Sequence, residues 1–247
     1  MDILKVKNLK KIYHTKDSEI LAVENFSLNL KQGEFVAIVG PSGCGKSTIL
    51  GILCGLDKPS SGTIEIDKNL KFGYMLQGDN LFDWRNIYKN CLLGLELENK
   101  LTKENINYVN KLLDTYGLKD FKKAYPNNLS GGMRQRVSLI RTLATKPDIL
   151  FLDEPFSALD YQTRLAVSDD VYKIIKKEKK SAIMVTHDLS EAISMADRVI
   201  VLSTRPSKIK NIYEIKLTNK STPIQNRKAK EFAYYYDKIW KDIDHHV

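Results

Sequence analysis

The sequence predicts an α/β fold built on a parallel sheet. Four short runs are continuously apolar, at residues 35–39, 149–152, 182–185 and 199–202. Such runs are expected where helices cover both faces of a parallel sheet. Between them lie apolar stripes at helical spacing. The stripe residues are Met133, Val137, Ile140 and Ala144, followed by Val167, Val171, Ile174 and Ile175.

The beginning of the chain has a different pattern. Phe26, Leu28 and Leu30 alternate with Ser27 and Asn29. Similar alternation occurs around residues 4–7 and 63–66. A period of two with one polar face indicates antiparallel strands that cover only one side of a core. Residues 85–128, in contrast, are polar, rich in Lys and Asn and lack strand patterns, so we expect a helical subdomain there.

Composition restricts the class of protein. A chain of 247 residues that is 43% hydrophobic and 28% charged suits one globular domain with a subdomain. No apolar run approaches the roughly 18 residues of a membrane-spanning helix, and the first residues lack a secretory signal pattern. We therefore expect neither an integral membrane nor a secreted protein. The three cysteines match no metal-binding spacing and cannot form a disulfide framework, as is usual in a reducing cytoplasm.

The positive charge is concentrated near the C-terminus. The formal net charge is +9, and residues 205–247 carry 10 Lys/Arg against 5 Asp/Glu, whereas residues 1–204 carry 29 against 25. No basic stripe is interleaved with exposed aromatic residues, as nucleic-acid binding would favour. The charge thus predicts a solvated, lysine-rich surface close to anionic lipid headgroups rather than a nucleic-acid site.

The apolar run at residues 35–39 leads directly into a G-x-x-x-x-G-K-[ST] motif. Its glycines let backbone N–H groups turn inward around phosphate oxygens at the N-terminus of a helix. Lys46 would bring a positive charge to the β and γ phosphates, and Ser47 a hydroxyl to Mg²⁺. The predicted nucleotide-binding residues of this loop are Gly40, Pro41, Ser42, Gly43, Cys44, Gly45, Lys46, Ser47 and Thr48.

Two further strands end in residues that suit phosphate chemistry. Asp153 and Glu154 follow the run at residues 149–152, and carboxylates at the end of a buried strand are costly without a cation or hydrogen bonds. Asp153 fits the Mg²⁺ shell, and Glu154 fits a base that positions the attacking water. His187 follows another buried strand, where it can contact the γ-phosphate and position that water.

A second potential anion site begins the helix of the first stripe. Ser130, Gly131 and Gly132 precede Met133, and a serine with two glycines at a helix N-terminus can hold a phosphate. A chain with a complete nucleotide loop has no local need for two such sites. The simplest interpretation is that this second site serves a nucleotide held by another chain.

These motifs together resemble those of the ATP-binding subunits of ABC transporters, over nearly the whole chain. The matching positions in order are Tyr13 (the aromatic residue that stacks on adenine), residues 40–48 (Walker A), Gln77 (Q-loop), residues 129–133 (signature), Asp153 and Glu154 (Walker B), residues 157–160 (D-loop) and His187 (switch histidine). The resemblance implies a P-loop NTPase (RecA-like) core with a parallel sheet, an N-terminal antiparallel β subdomain and a helical subdomain that carries the signature motif.

The resemblance also implies a division of the chain. Residues 1–247 would form one ABC ATPase domain. Residues 1–80 and 146–210 would contain the nucleotide-binding core and β subdomain, residues 81–145 the helical subdomain, and residues 211–247 a C-terminal helical tail.

The implied activity is ATP hydrolysis coupled to transport, with ATP and Mg²⁺ as cofactors. Two subunits, expected to be identical, would form a head-to-tail dimer that closes on two ATP molecules and opens after hydrolysis. The dimer would drive an integral membrane permease from the cytoplasmic face of the membrane, with an extracytoplasmic solute-binding protein as an indirect partner. The implied catalytic residues are Glu154, His187, Gln77 and Lys46, the metal-binding residues are Ser47, Gln77 and Asp153, and the residues completing the partner's ATP site are Ser130, Gly131 and Gly132.

Residues 153–164 resemble importer subunits, especially the nitrate/sulfonate/taurine group. Residues 81–87 resemble the Leu-Leu-Pro-Trp segment of that group, although Asp83 replaces the usual proline and residues 66–74 are fewer than is typical. An exporter subunit, or a soluble ABC ATPase acting on ribosomes or DNA, remains an alternative. The sequence does not indicate the transported substrate.

Two smaller features also lead to expectations. Cys44 is interpreted as a small loop residue, and modification of its thiol should block nucleotide entry. Phe232, Tyr236, Ile239 and Ile243 follow helical spacing, which favours a helix packed on the core of its own domain over one resting on lipid or a partner.

Overall fold

The computed structural model describes residues 1–16 and 18–243, which form two sheets and eight α-helices. The strands are β1 (Asp2–His14), β2 (Glu19–Lys31), β3 (Phe35–Val39), β4 (Ser61–Ile66), β5 (Phe72–Met75), β6 (Ile149–Asp153), β7 (Ser181–Val185), β8 (Arg198–Leu202) and β9 (Ile209–Glu214). The helices are α1 (Lys46–Leu53), α2 (Ile87–Leu97), α3 (Lys103–Thr115), α4 (Gly131–Ala144), α5 (Tyr161–Lys177), α6 (Leu189–Met195), α7 (Pro223–Asn226) and α8 (Glu231–Ile243).

The larger sheet has six strands in the order β5-β6-β7-β3-β8-β9. The four apolar runs are its central strands β6, β7, β3 and β8, which pair in parallel as predicted. At one edge, β9 pairs antiparallel with β8. This strand reaches Glu214, so the segment expected to be a helical tail from residue 211 begins within a strand. Lys210, Asn211 and Glu214 interrupt its six residues, which is why no apolar run marked it.

Different structures cover the two faces of this sheet. Ala37 and Val39 of β3 point into a core shared with α4, α5, α6 and α8. Val36 and Ile38 point to the other face, where α1 and the smaller sheet complete a second core. Helices therefore lie on both faces, as predicted, but on one face the smaller sheet shares the cover with α1. A continuous apolar run reports burial on both sides of a strand but not the kind of element that buries it.

The smaller sheet is antiparallel, in the order β2-β1-β4. Phe26, Leu28 and Leu30 are buried, whereas Ser27 and Asn29 between them are exposed. The predicted alternation is confirmed, and this sheet covers the core on one side only.

Residues 85–128 form α2, α3 and two short 3-10 turns, as their polar, strand-free sequence predicts. Side-chain oxygens of Asn86 and Thr102 cap the two helices by accepting hydrogen bonds from backbone N–H groups. Both helices pack against α4, so the helix that begins at the signature residues is supported by this helical segment.

The last helix, α8, packs on its own domain, as its spacing predicts. Ile239 is fully buried, and Phe232, Tyr236 and Ile243 pack around the same core. The side chain of Asp242 accepts a hydrogen bond from Asn211 Nδ2 of β9 at 2.7 Å. Within the described part of the chain, no helix has both the length and the apolar character needed to cross a membrane.

Candidate active site

The carboxyl ends of the parallel strands form the floor of a cavity of about 670 Å³. Because β3, β6, β7 and β8 run in the same direction, the segments that follow them meet at one edge of the sheet. The volume lies within the usual range of ligand sites, about 300–1,000 Å³. The predicted residues that line it are Tyr13, Ser42, Gly43, Gly45, Lys46, Ser47, Thr48, Gln77, Glu154 and His187.

Glycine is required at two positions of the phosphate loop. Gly43 has φ +70° and Gly45 has φ +113°, conformations that strain residues with a Cβ. These turns bring the chain from β3 into α1, which begins at Lys46 directly after Gly45. The N-terminus of α1 thus opens toward the cavity, where its free N–H groups favour an anion.

Lys46 is held over the loop by neutral oxygen atoms. Its Nζ donates hydrogen bonds to the carbonyl oxygens of Gly40, at 2.9 Å, and Pro41, at 3.0 Å. The side chain is largely buried, and no carboxylate in the described ranges forms an ion pair with it. A buried ammonium without a counter-charge suits a phosphate ligand. Gly40 and Pro41 do not line the cavity themselves; they position Lys46.

Cys44 faces away from the cavity into the core. The residue is 1% exposed and packs on the face of the sheet that α1 covers. Burial raises the pKa of its thiol. The expectation that a thiol reagent would block nucleotide entry here is wrong for the folded protein, because the sulfur is both enclosed and protonated.

Asp153, the last residue of β6, is a buried carboxylate held by hydroxyl groups. Ser47 Oγ donates to its Oδ1 at 3.1 Å, and Tyr74 OH donates to its Oδ2 at 3.3 Å. Burial is the main cause that raises the pKa of Asp153, and the nearby Glu154 adds to it. Tyr74 was not predicted as a site residue, because no motif marks it. It lies on β5, and the pairing of β5 with β6 brings it to Asp153.

The oxygen atoms of Ser47 and Asp153 fit a magnesium ion. Mg²⁺ prefers hard oxygen ligands and commonly takes one or two protein ligands together with phosphate oxygens and water. A divalent cation would also offset the unpaired charge that burial makes costly at Asp153. No group of three or more His, Cys, Asp or Glu side chains forms a metal cage among the residues with assigned positions. The donor set therefore suits a metal shared with a nucleotide.

Glu154, Gln77 and His187 meet at the cavity. Gln77 Nε2 donates to Glu154 Oε2 at 3.4 Å, and His187 Nδ1 lies 3.2 Å from the same oxygen. Glu154 has φ +45°, an uncommon backbone conformation for a residue other than glycine, and its N–H donates to the carbonyl of Val185. The carboxylate is thus aimed into the cavity, where it could accept a proton from water.

The signature residues lie at a separate cavity of about 350 Å³. Ser130 caps α4, since its Oγ accepts a hydrogen bond from the N–H of Met133 at 3.3 Å. The lining residues are Ser130, Gly131, Gly132, Met133, Arg136, Ala158, Asp160 and Thr163. The two cavities share no lining residue. The phosphate loop and the signature residues therefore do not form one site within a single chain.

A model of the ABC transporter family matches residues 23–157. The chain belongs to this family. Among curated proteins, an uncharacterised ABC transporter ATP-binding protein of Bacillus subtilis, YtlC, is 41% identical to it over 99% of this chain and 96% of that protein. The nitrate import ATP-binding protein NrtD of a Synechocystis strain is 38% identical over 96% of this chain and 93% of that protein. An aliphatic sulfonates import ATP-binding protein, SsuB, of Bacillus thuringiensis is 34% identical over 97% and 95%.

Solved structures lead to the same family. A dimeric bacterial ABC transporter cassette, MJ0796, has a TM-score of 0.77 and 32% identity, covering 86% of this chain and 99% of that one. The same cassette in a dimeric post-hydrolysis state with ADP and phosphate has a TM-score of 0.76 and 31% identity over the same shares. The predicted family and fold are confirmed. This ABC protein is an ATP-binding subunit close to the nitrate and sulfonate group, which uses ATP and Mg²⁺ and couples hydrolysis to transport.

Three residues line the larger cavity of this ABC subunit although no motif predicted them. They are Ile20, Ala22 and Arg205. Ile20 and Ala22 belong to β2, which passes beside Tyr13 of β1. Arg205 follows β8, a strand that pairs in parallel with β3. Its only sequence signal was the position directly after a strand that ends at the same edge as the phosphate loop.

A partly buried network connects Leu159 to the residues on either side of His187. Arg164 donates through Nη2 to the carbonyl of Leu159, at 2.9 Å, and through Nη1 to Asp188, at 3.3 Å. Thr186, next to His187, donates to Glu191 Oε2 at 2.8 Å. Burial, with a smaller contribution from Asp188, raises the pKa of Glu191 to about 7. No motif predicted this network, because its members lie behind the cavity.

The raised pKa of Glu191 predicts a pH-dependent contribution to stability. Between the ordinary value of 4.5 and about 7, the folded protein keeps a proton that the unfolded chain has released. This contribution is fully present below pH 4.5 and is lost as the pH rises through about 7. Glu191→Gln cannot titrate and keeps an oxygen that accepts from Thr186. Its stability relative to wild type should therefore increase between about pH 5 and pH 8, by on the order of 3 kcal/mol.

Urea unfolding of both proteins at several pH values measures this difference. Glu65→Gln, which removes an exposed carboxylate from β4, is the control for the loss of one negative charge. A difference between Glu191→Gln and wild type that is the same at every pH would contradict a raised pKa for Glu191.

Proposed function

We propose that this chain is the ATP-hydrolysing subunit of an importer and that two copies bind ATP between them. The observation that carries the proposal is the presence of two phosphate-binding features on one chain that share no cavity. In a head-to-tail dimer, the signature residues of one copy would close the phosphate loop of the other. The dimeric state of the related cassette supports this arrangement.

The cavity suggests a role for each part of the nucleotide site. Lys46 and the N–H groups of residues 42–48 would hold the phosphates. Tyr13 would stack on adenine; its hydroxyl donates to Asp57 Oδ2 at 3.1 Å, and Lys11 lies over its ring. These contacts fix the orientation of a ring that is still 38% exposed.

Ser47, Gln77 and Asp153 would hold the magnesium ion. Mg²⁺ in this position would offset the negative charge of the phosphates during the reaction. Ser47 and Asp153 already contact each other. The amide of Gln77 lies beside Glu154, so it can respond both to the metal-bound nucleotide and to the attacking water.

Hydrolysis would use Glu154 as the general base. A water molecule between Glu154 and the γ-phosphate would give its proton to the carboxylate while its oxygen bonds to phosphorus. The bond from phosphorus to the bridging oxygen breaks, which yields ADP and phosphate. His187 beside Glu154 would orient the water and the γ-phosphate, and Ser130 with Gly132 of the partner copy would bind the same phosphate group from the opposite side.

Glu154→Gln should keep ATP binding but lose roughly 100- to 10,000-fold in turnover, the usual contribution of a general base. Because the bound ATP persists, the variant should elute as a dimer in gel filtration with ATP and as a monomer without it. Glu65→Gln, an exposed glutamate on β4, is the matched control. Unimpaired turnover, or a monomer at saturating ATP, would contradict the roles assigned here.

The segment after Gln77 is proposed to contact a membrane permease. Trp84 is 76% exposed and stacks on Phe82 with 4.7 Å between ring centroids. Large aromatic side chains that remain exposed favour a protein interface. The segment lies at the start of the helical subdomain, proposed as residues 81–145, and it follows the glutamine that reaches the active site. We therefore propose that the subunit docks at the cytoplasmic face of the membrane, where this contact would communicate with Gln77.

Import of a small solute is proposed from the named relatives. Curated proteins similar over nearly the whole chain are nitrate and sulfonate import ATP-binding proteins. A nitrate-, sulfonate- or taurine-like solute is therefore the proposed cargo class. The permease and an extracytoplasmic binding protein would select it, since the cavity of this chain suits ATP.

Affinity isolation of the tagged chain from its native membranes, followed by mass spectrometry, tests this proposal. We expect a multi-span permease together with an extracytoplasmic solute-binding protein. A Trp84→Ala chain, which keeps every residue of the nucleotide cavity, should recover less of the permease. A permease without a binding protein would indicate an exporter, and recovery with ribosomes or DNA-repair proteins would contradict a role in transport.

A further inference from the structure

Arg205 reaches the phosphate loop from a neighbouring strand. Its Nη2 donates a hydrogen bond to the carbonyl oxygen of Gly43 at 2.9 Å, and the side chain lines the nucleotide cavity. In the register of the parallel pair, Val201 of β8 lies opposite Val39 of β3. The chain after β8 therefore runs beside the phosphate loop, which places Arg205 next to Gly43.

The turn that carries Arg205 is fixed on two sides. Within the turn, the N–H of Ser203 donates to the carbonyl of Lys208 at 2.9 Å. Toward β2, the N–H of Ser207 donates to the carbonyl of Ala22 at 2.9 Å, and Ser207 accepts from the N–H of Glu24. Ala22 lines the same cavity. The backbone beside Arg205 is thus attached to the wall of the nucleotide site.

The guanidinium group has unused donors and no acidic partner. It carries five N–H donors, of which the bond to Gly43 uses one. No carboxylate in residues 1–16 and 18–243 forms an ion pair with Arg205, whereas Arg85, Arg134, Arg164 and Arg198 all have one. Lys46 and Arg205 are the two Lys or Arg side chains among the lining residues described. A planar guanidinium suits phosphate oxygens well.

We infer that Arg205 is a second cationic contact for the phosphate chain of the nucleotide, beside Lys46. The juxtaposition of its unpaired guanidinium with Gly43, in the loop that cradles the phosphates, carries this inference. It rests on the nucleotide site proposed above. Since the loop holds phosphates that ATP and ADP share, Arg205 strengthens the binding of both nucleotides.

Equilibrium titration of the full-length protein with ATP and with ADP, in the presence of Mg²⁺, tests the role of Arg205. Arg205→Gln should weaken both nucleotides by about three- to tenfold, as expected for loss of an exposed charged hydrogen bond. Arg205→Lys should recover part of the affinity because it keeps the charge. The matched control is Lys208→Gln, which removes an exposed cation of the same turn outside the cavity and should bind as wild type does.

The salt dependence of nucleotide affinity distinguishes a contact between Arg205 and phosphate from a purely structural role of Arg205. Because salt screens exposed charges, affinity should fall less steeply with KCl in Arg205→Gln than in wild type or Lys208→Gln. If Arg205 only braced the Gly43 carbonyl, the glutamine and lysine variants would lose affinity equally and keep the wild-type salt dependence. Unchanged affinity in Arg205→Gln, or this bracing pattern, would overturn the inference.

Lys46→Ala, titrated in parallel, keeps the two proposals distinguishable. Loss of binding in Lys46→Ala together with wild-type behaviour of Arg205→Gln would refute only the inference about Arg205. Normal binding by Lys46→Ala would refute the nucleotide site itself. Circular dichroism of each variant without nucleotide verifies that the protein is folded.

Discussion

The parallel pairing of β6, β7, β3 and β8 is the constraint on which the active site depends. Each strand contributes a residue from the segment that follows its carboxyl end, and parallel pairing brings these ends to one edge. Lys46, Glu154, His187 and Arg205 are far apart in sequence and line one cavity for this reason. The cores on both faces of the sheet hold these strand ends in register. The packing that stabilises the fold therefore also sets the geometry of the site.

The charges of the site are held in place by neutral groups. Carbonyl oxygens hold Lys46, and hydroxyl groups hold Asp153, so neither buried charge has an opposite charge in contact. Phosphates and a divalent cation would supply these charges when ATP binds. The same reasoning applies between subunits, since the signature cavity has N–H donors at the start of α4 and shares no lining residue with the cavity of the phosphate loop.

The sequence was most informative where chemistry restricts residue type. The phosphate loop, Asp153 and the buried strands could be predicted, because a turn at positive φ requires glycine and a strand buried on both faces must be apolar. Patterns of apolarity could not show that a sheet covers one face, nor that β9 is a polar edge strand. The burial of Cys44 and the approach of Arg205 depend on the tertiary neighbours of each residue. The division at residues 80, 145 and 210 and the role of each site residue remain predictions.

The central claim, an ATP site shared between two copies, is tested most directly by the structure of Glu154→Gln with ATP and Mg²⁺. We predict two head-to-tail copies, with each triphosphate in contact with Lys46 of one copy and Ser130 of the other. The claim would be contradicted by ATP bound to a single copy whose signature cavity faces solvent, or by a dimer that places the two signature cavities away from both nucleotides.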